Sequence, residues 1–107
     1  MPRRDVLERN VKRMISAYLD SLPRCYYRMP VPGGYGKSGI DYEGCVYGFF
    51  FGIEAKSPDH NADLTPRQRE TILDILAGGG RVFVISTPAG LQVFKNWVEK
   101  CSKASEV

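Results

Sequence analysis

The stretch YGFFFGIEAK, residues 47–56, is apolar for most of its length and ends in charged residues. Its aromatic composition favours a β-strand, whose side chains alternate between the two faces of a sheet. Residues 65–77 follow as a helix between a threonine-proline start and three glycines, and residues 81–86 form a second apolar strand. A strand, a helix and a strand in this order form a crossover, so this region predicts an α/β fold with a parallel strand pair.

The rest of the chain adds two helices and two strands to this unit. Apolar residues recur at helical spacing over residues 4–21 and again after Thr87-Pro88. Short strands are predicted at Cys25–Met29 and Ile40–Glu43, and a hairpin turn at Glu43-Gly44 would pair the latter antiparallel with residues 47–56. The predicted order is αβββαβα, with a mixed central sheet flanked by helices.

Length and composition describe an ordinary globular domain. The chain has 107 residues, of which 43% are hydrophobic and 25% are charged, so we expect one domain over residues 1–107 and exclude disordered and fibrous classes. The longest apolar run is too short for a membrane helix, and the start lacks the apolar stretch of a secretory signal, which predicts a cytoplasmic protein. Three isolated cysteines fit a reducing compartment; we expect them to be unpaired and buried, and a single histidine disfavours zinc (Cys25, Cys45, Cys101 and His60).

Positive charge is concentrated at the N-terminal end, where residues 1–28 carry seven basic and three acidic side chains. This end is a candidate contact for a polyanion, although basic residues are also common on exposed helices. On the helical wheel, Glu8 projects into the apolar stripe and therefore towards the core. It can form a salt bridge with Lys12 one turn later, or it can serve a metal or a substrate at the helix edge.

Charged residues close the apolar strand. Glu54 and Lys56 point to the same face, and Asp41 on the preceding strand can approach them across the hairpin. Two carboxylates suit Mg²⁺ or Mn²⁺, and a neighbouring lysine can orient a water molecule or neutralise charge on a phosphate. The same three residues could instead form a cross-strand salt bridge.

Several motifs surround these residues: GID at 39–41, EAKSP at 54–58, and TPRQ at 65–68 at the start of a helix, followed by glycines and an apolar strand. This arrangement resembles the PD-(D/E)XK nuclease superfamily. It is more narrowly similar to the virus-type replication-repair nuclease family (VRR-NUC) in its small stand-alone form. The resemblance extends from the helix with Glu8 to Ser86. Ile40 departs from the family pattern, in which proline usually precedes the aspartate.

The resemblance implies a restriction-endonuclease-like fold and an endodeoxyribonuclease that depends on Mg²⁺ or Mn²⁺. The catalytic positions of the family fall on Glu8, Asp41, Glu54, Lys56 and Gln68. The metal ligands would be Asp41, Glu54, the carbonyl of Ala55 and, at a second metal or in support of the first, Glu8. Lys56 would position the attacking water. Gln68 is also the expected capping-box partner of Thr65, alongside or instead of a role at the site.

Members of this kind act on branched DNA, such as four-way junctions, and are thought to form homodimers, so we expect both properties here. The aromatic hairpin with Tyr42, Tyr47 and Phe50, together with Phe94 and Trp97, offers apolar surface for a dimer, unless it completes a monomeric core. A non-catalytic DNA-binding or assembly module and a nuclease acting on RNA or on small phosphoesters are the alternatives. The expected nucleic-acid contacts are basic residues of the first helix, the glycine-rich loop and the second helix: Arg9, Lys12, Arg13, Lys37 and Arg67.

Overall fold

The computed structural model describes residues 3–30, 39–60 and 64–106; for residues 3–6 and 60 it describes the backbone only. It is an α/β fold with a mixed four-stranded sheet flanked by helices. The elements are α1 (Arg3–Ser21), β1 (Cys25–Arg28), β2 (Tyr42–Val46), β3 (Phe49–Ala55), a short 3₁₀ helix (Pro58–His60), α2 (Pro66–Ala77), β4 (Arg81–Ile85) and α3 (Pro88–Ser105). Their order agrees with the order predicted from the sequence.

The strands lie in the order β1-β2-β3-β4. The first two pairs are antiparallel, and β3 pairs with β4 in parallel, as the crossover through α2 requires. Tyr42 lies opposite Ile53, and Ala55 lies opposite Ile85. The beginning of β2 and the ends of β3 and β4 therefore meet at one end of the sheet.

The hairpin turn differs from the prediction. It lies at Tyr47-Gly48, not at Glu43-Gly44, and the strand begins at Tyr42 instead of Ile40. Tyr47 and Gly48 have φ angles of 51° and 87°, and a two-residue turn with two positive φ angles matches the twist of a hairpin. Gly44 instead lies within β2, where a Cβ atom would come within 2.7 Å of the Cα of Tyr27. Glycine is required at this position because the backbone of β1 lies too close for a side chain.

The core lies between the sheet and the pair formed by α1 and α3. Phe51, Ile53 and Ala55 face it as predicted, whereas Phe49 at the start of β3 is 41% exposed. The buried cluster draws on both helices and on β2, β3 and β4; it contains Val11, Ile15, Leu19, Tyr42, Val46, Phe51, Ile53, Ala55, Ile85, Leu91, Phe94 and Val98.

The burial of several residues differs from the expectation. Tyr42 and Phe94 are fully buried, so they offer no surface to a second copy of the chain. Trp97 is partly buried, with its ring 5.3 Å from that of Phe83, and belongs to the edge of the core. Cys45 is exposed because it lies on the outward face of β2, although all three cysteines are free as expected.

Helix α2 packs on the other face of the sheet, over β3 and β4. A Cβ atom at Gly52 would lie 2.9 Å from Cδ1 of Ile75, and one at Gly80 would lie 2.7 Å from Cγ2 of the same residue. Two glycines thus let the helix approach the strands closely. Within the part of the chain that is described, no helix is long and apolar enough to cross a membrane.

We expect the substitution Gly44→Ala to lower the free energy of unfolding by about 2 kcal/mol or more, because the added methyl group meets backbone atoms of β1 that cannot move aside. Gly90→Ala is the matched control. A Cβ atom there would meet its neighbours at 3.7 Å or more, so stability should change by less than about 0.5 kcal/mol or rise. Urea unfolding measures both values, and equal effects would contradict the assigned β1–β2 register.

Candidate active site

Two carboxylates are locked together where β2 begins and β3 ends. The backbone N–H of Asp41 donates a hydrogen bond to Oε1 of Glu54 at 3.1 Å. The backbone N–H of Ala55 donates in turn to Oδ2 of Asp41 at 2.8 Å. Each carboxylate therefore accepts from the backbone of the strand that carries the other one. This exchange fixes both side chains at the end of the antiparallel pair.

Glu54 is only 3% exposed, although it carries a carboxyl group. Its Oε2 accepts a hydrogen bond from Nε2 of Gln68 at 2.7 Å and lies 3.4 Å from Nζ of Lys56. A buried carboxylate is tolerated only when hydrogen bonds and cations replace the lost water. Glu54 is therefore held by donors from three segments: the start of β2, the end of β3 and the first turn of α2.

Gln68 both completes the cap of α2 and contacts the carboxylate site. Its Oε1 accepts from the backbone N–H of Thr65 at 2.9 Å, and the hydroxyl of Thr65 accepts from the N–H of Gln68 at 3.1 Å, which completes a capping box. The same Oε1 accepts from Nζ of Lys56 at 3.1 Å, while Nε2 binds Glu54. The start of α2 and the carboxylate site are consequently one hydrogen-bonded unit.

The carboxyl groups of Asp41 and Glu54 lie close together, and that of Glu54 is buried, so both effects act on its pKa. Burial and the neighbouring Asp41 carboxylate together raise the pKa of Glu54 to about 8, although the Lys56 ammonium lowers it. The two acids thus offer hard oxygen atoms that favour added positive charge. This donor chemistry fits a Mg²⁺ or Mn²⁺ ion, which carboxylates and carbonyls bind in preference to softer metals.

The backbone of Ala55 adds a third oxygen on the same side. In a strand, the N–H and the C=O of one residue point in the same direction. The N–H of Ala55 faces Asp41, whereas the N–H of Lys56 faces the carbonyl of Ile85 on the opposite side. The carbonyl of Ala55 therefore faces the carboxylate pair, which is compatible with the ligand role that the resemblance implies.

Glu8 does not point into the core, contrary to the helical-wheel prediction. Its side chain is 36% exposed, and its Oε2 lies 3.9 Å from Nζ of Lys12, the salt bridge that the sequence left as an alternative. Lys12 also lies 3.4 Å from Oδ1 of Asp41. Among the described residues, no group of three or more His, Cys, Asp or Glu side chains could hold a metal ion. Lys12 thus connects Glu8 to the pair, and Glu8 is not a direct member of it.

The basic residues expected to contact nucleic acid take different positions. Arg9, Arg13 and Arg67 are exposed, and Arg67 lies in the first turn of α2 next to Gln68. The ammonium of Lys12 forms ion pairs with Glu8 and Asp41. Lys37 lies outside the described residues.

The sequence predicted most of this site but missed one member. Asp41, Glu54, Lys56 and Gln68 come together as expected. Lys12 was expected to face nucleic acid, and the i,i+4 spacing from Glu8 was the signal that could have placed it at the site. A separate cavity of about 470 Å³ lies at the other end of β3, between Phe49, Arg81 and Trp97, away from these residues.

In comparisons with known proteins, no protein-family model, no curated protein and no solved structure matches the chain.

The double role of Gln68 predicts unequal effects for two substitutions in the capping box. Thr65→Ala removes the cap and should cost about 1 kcal/mol. Gln68→Ala removes the return bond of the cap and leaves a buried oxygen of Glu54 without its amide donor, so it should cost about 1–3 kcal/mol more than Thr65→Ala. Chemical unfolding of both variants in a chelator measures the difference; equal losses would show that Gln68 is only a cap.

The raised pKa of Glu54 predicts how stability depends on pH without divalent metal. An unfolded glutamate loses its proton near pH 4.3, whereas folded Glu54 keeps it up to about pH 8. Between these pH values the folded state binds more protons than the unfolded state. The contribution of Glu54 to the free energy of unfolding therefore falls as the pH rises from about 4.5 to 8. Melting temperatures in EDTA should show this slope in the wild type and a smaller one in Glu54→Gln. Identical slopes would contradict the assigned shift.

Proposed function

We propose that the protein is a divalent-metal-dependent endonuclease that hydrolyses phosphodiester bonds in DNA. The observation that carries this proposal is the convergence of Asp41, Glu54 and Lys56 at the ends of two strands. Gln68 binds Glu54 and Lys56 from a third segment. A simple cross-strand salt bridge would need neither the burial of Glu54 nor its amide donor.

We also propose that the fold is of the PD-(D/E)XK type and that the domain is of the VRR-NUC kind. Support comes from the mixed sheet with the site at the end of its hairpin, and from the glutamine in the first turn of α2. The Glu-x-Lys motif falls at the end of β3, next to the aspartate that precedes β2.

The mechanism assigns one task to each side chain. Asp41, Glu54 and the carbonyl of Ala55 would hold Mg²⁺ or Mn²⁺, which when bound polarises the scissile phosphate and lowers the pKa of water. The ammonium of Lys56 would orient the attacking water and offset the charge that develops on the phosphate. Gln68 keeps this ammonium in place, because its Oε1 accepts from Nζ at 3.1 Å while its amide nitrogen binds Glu54.

The DNA contacts proposed for this enzyme lie on the two helices that border the site. Arg9 and Arg13 are exposed on α1, and Arg67 is exposed at the start of α2. Phosphate contacts from both helices would place the backbone of the substrate over Lys56, and Lys37 would add to them. Branched or four-way junction DNA is the proposed substrate class.

A homodimer is the proposed assembly, because two active sites related by a two-fold axis can cut two strands in a coordinated way. With Tyr42 and Phe94 buried, the remaining apolar surface includes Tyr26 and Phe50, which are exposed on the outward side of β1–β3. The mass in solution, measured by light scattering at micromolar concentration, tests this assembly separately from the metal site.

The nuclease proposal predicts Mg²⁺- or Mn²⁺-dependent cleavage in a panel of duplex, flap, splayed-arm and four-way junction DNA. Asp41→Asn and Lys56→Met should each reduce the rate by about 10²–10⁴-fold, and EDTA should abolish it. Lys103→Met is the matched control, because it removes an equally charged but exposed lysine on α3 and should leave the rate unchanged.

Three results would contradict the proposal. Cleavage that persists in Asp41→Asn, in Lys56→Met or in EDTA would exclude the assigned site. Salt-sensitive DNA binding without cleavage of any substrate in Mn²⁺ would identify a non-catalytic DNA-binding module. Cleavage of RNA but of no DNA in the same panel would change the substrate class.

A further inference from the structure

The two oxygen atoms of Asp41 face different partners. Oδ2 accepts from the backbone N–H of Ala55, on the side of the Glu54 carboxylate. Oδ1 faces away towards α1 and lies 3.4 Å from Nζ of Lys12. The same ammonium lies 3.9 Å from Oε2 of Glu8. A cation that belongs to this chain therefore lies between the two carboxylates that a second metal ion would need.

Lys12 is held in this place from two directions. The hydroxyl of Tyr42 donates a hydrogen bond to the backbone carbonyl of Lys12 at 3.0 Å, and it also pairs with Oγ of Ser16 at 2.9 Å. Tyr42 is fully buried and directly follows Asp41 in the chain. The residue that anchors the backbone of Lys12 and the residue that receives its ammonium are therefore neighbours in sequence.

The contact between Lys12 and Asp41 is only partly screened by water. The side chain of Lys12 is 34% exposed and that of Asp41 is 23% exposed. A lysine side chain ordinarily carries a positive charge at neutral pH. The geometry therefore places a cation of the chain itself directly against Asp41.

We infer that the ammonium of Lys12 takes the position of a second cation between Asp41 and Glu8, so that the active site holds one divalent metal ion. This inference rests on the proposed nuclease function and specifies the metal content of that site. Glu8 then acts as a positioning residue for Lys12, and the metal-ligand role that the family resemblance implies for it does not apply in the wild-type chain.

The ammonium and a second metal ion exclude each other for two reasons. A Mg²⁺ or Mn²⁺ ion lies about 2 Å from its carboxylate oxygens, so an ion bound to Oδ1 of Asp41 and to Glu8 would need the volume that Nζ fills. A divalent ion bound by Asp41 and Glu54 also repels further positive charge nearby. One lysine therefore satisfies Asp41 and Glu8 at lower total charge than a second metal ion would.

The direct test counts the Mn²⁺ ions bound to the 107-residue chain, stripped of metal and free of DNA. Calorimetry and the electron paramagnetic resonance signal of free Mn²⁺ give this count. We expect the wild type to bind one ion. Lys12→Met keeps the aliphatic stem and removes the charge, so it should bind two. Lys12→Arg restores a cation and should return the count to one.

Matched variants separate the position of the charge from its mere loss. Arg13→Met removes the same charge from the next, exposed residue of α1 and should still bind one ion. Glu8→Gln should still bind one ion without a marked loss of affinity, because Glu8 is not a ligand of that ion and Lys12 keeps its contact with Asp41. In the double variant Lys12→Met/Glu8→Gln the second ion loses one of its two carboxylates, so the count should fall back to one. Circular dichroism and melting temperature verify that each variant is folded.

Each contrary result has a distinct meaning. A wild type that binds two Mn²⁺ ions would overturn the inference and leave the proposed nuclease intact. A single bound ion in folded Lys12→Met would also overturn the inference and leave the proposed nuclease intact. A marked loss of Mn²⁺ affinity in Glu8→Gln would show that Glu8 is a ligand and would also overturn the inference, and this variant decides the question if Lys12→Met fails to fold. A wild type that binds no Mn²⁺ ion would overturn the proposed function together with the inference.

Discussion

The burial of the Glu54 carboxylate is the constraint on which the rest of this site depends. A charged group removed from water must be compensated by hydrogen bonds and cations, or it neutralises itself by taking up a proton. Here the N–H of Asp41, the amide of Gln68 and the ammonium of Lys56 compensate in part. Burial and the Asp41 carboxylate still raise the pKa of Glu54 to about 8. The three compensating groups belong to segments that are distant in sequence. The contacts that make the site are therefore also the contacts that hold α2 and β2 against β3.

The adjacent residues Asp41 and Tyr42 join the site to the core. Tyr42 is fully buried opposite Ile53, and its hydroxyl reaches α1 at the carbonyl of Lys12. Asp41 binds the Ala55 backbone with one oxygen and faces the Lys12 ammonium with the other. Packing of α1 on the sheet and placement of charge at the site are consequently coupled. A shift of α1 would move the Lys12 ammonium away from Asp41.

Asp41, Glu54 and Lys56 were brought together from the sequence by the predicted hairpin, whereas Gln68 was expected at the site only from the family resemblance. All four lie at or next to the end of an element. Asp41 precedes β2, Glu54 lies at the end of β3 with Lys56 just beyond it, and Gln68 is three residues after a threonine cap. Ends of strands and helices that alternate along the chain meet at the same edge of an α/β sheet. Lys12 does not lie at the end of an element, since it is in the middle of α1. Its membership follows only from the approach of the helix to Asp41.

The sequence by itself determined the order of helices and strands, because apolar periodicity, the Thr65 cap and the glycines at 78–80 act within a few neighbouring residues. It did not locate the hairpin turn, since the need for glycine at position 44 arises from β1. That strand pairs with β2 so that Tyr27, 17 residues earlier in the chain, lies opposite Gly44. The sequence also could not show that Phe94 and Tyr42 are buried while Glu8 is half exposed. Those outcomes were decided by the tertiary structure, because burial and ion pairing depend on which faces pack together, and that is a property of contacts between segments far apart in the chain.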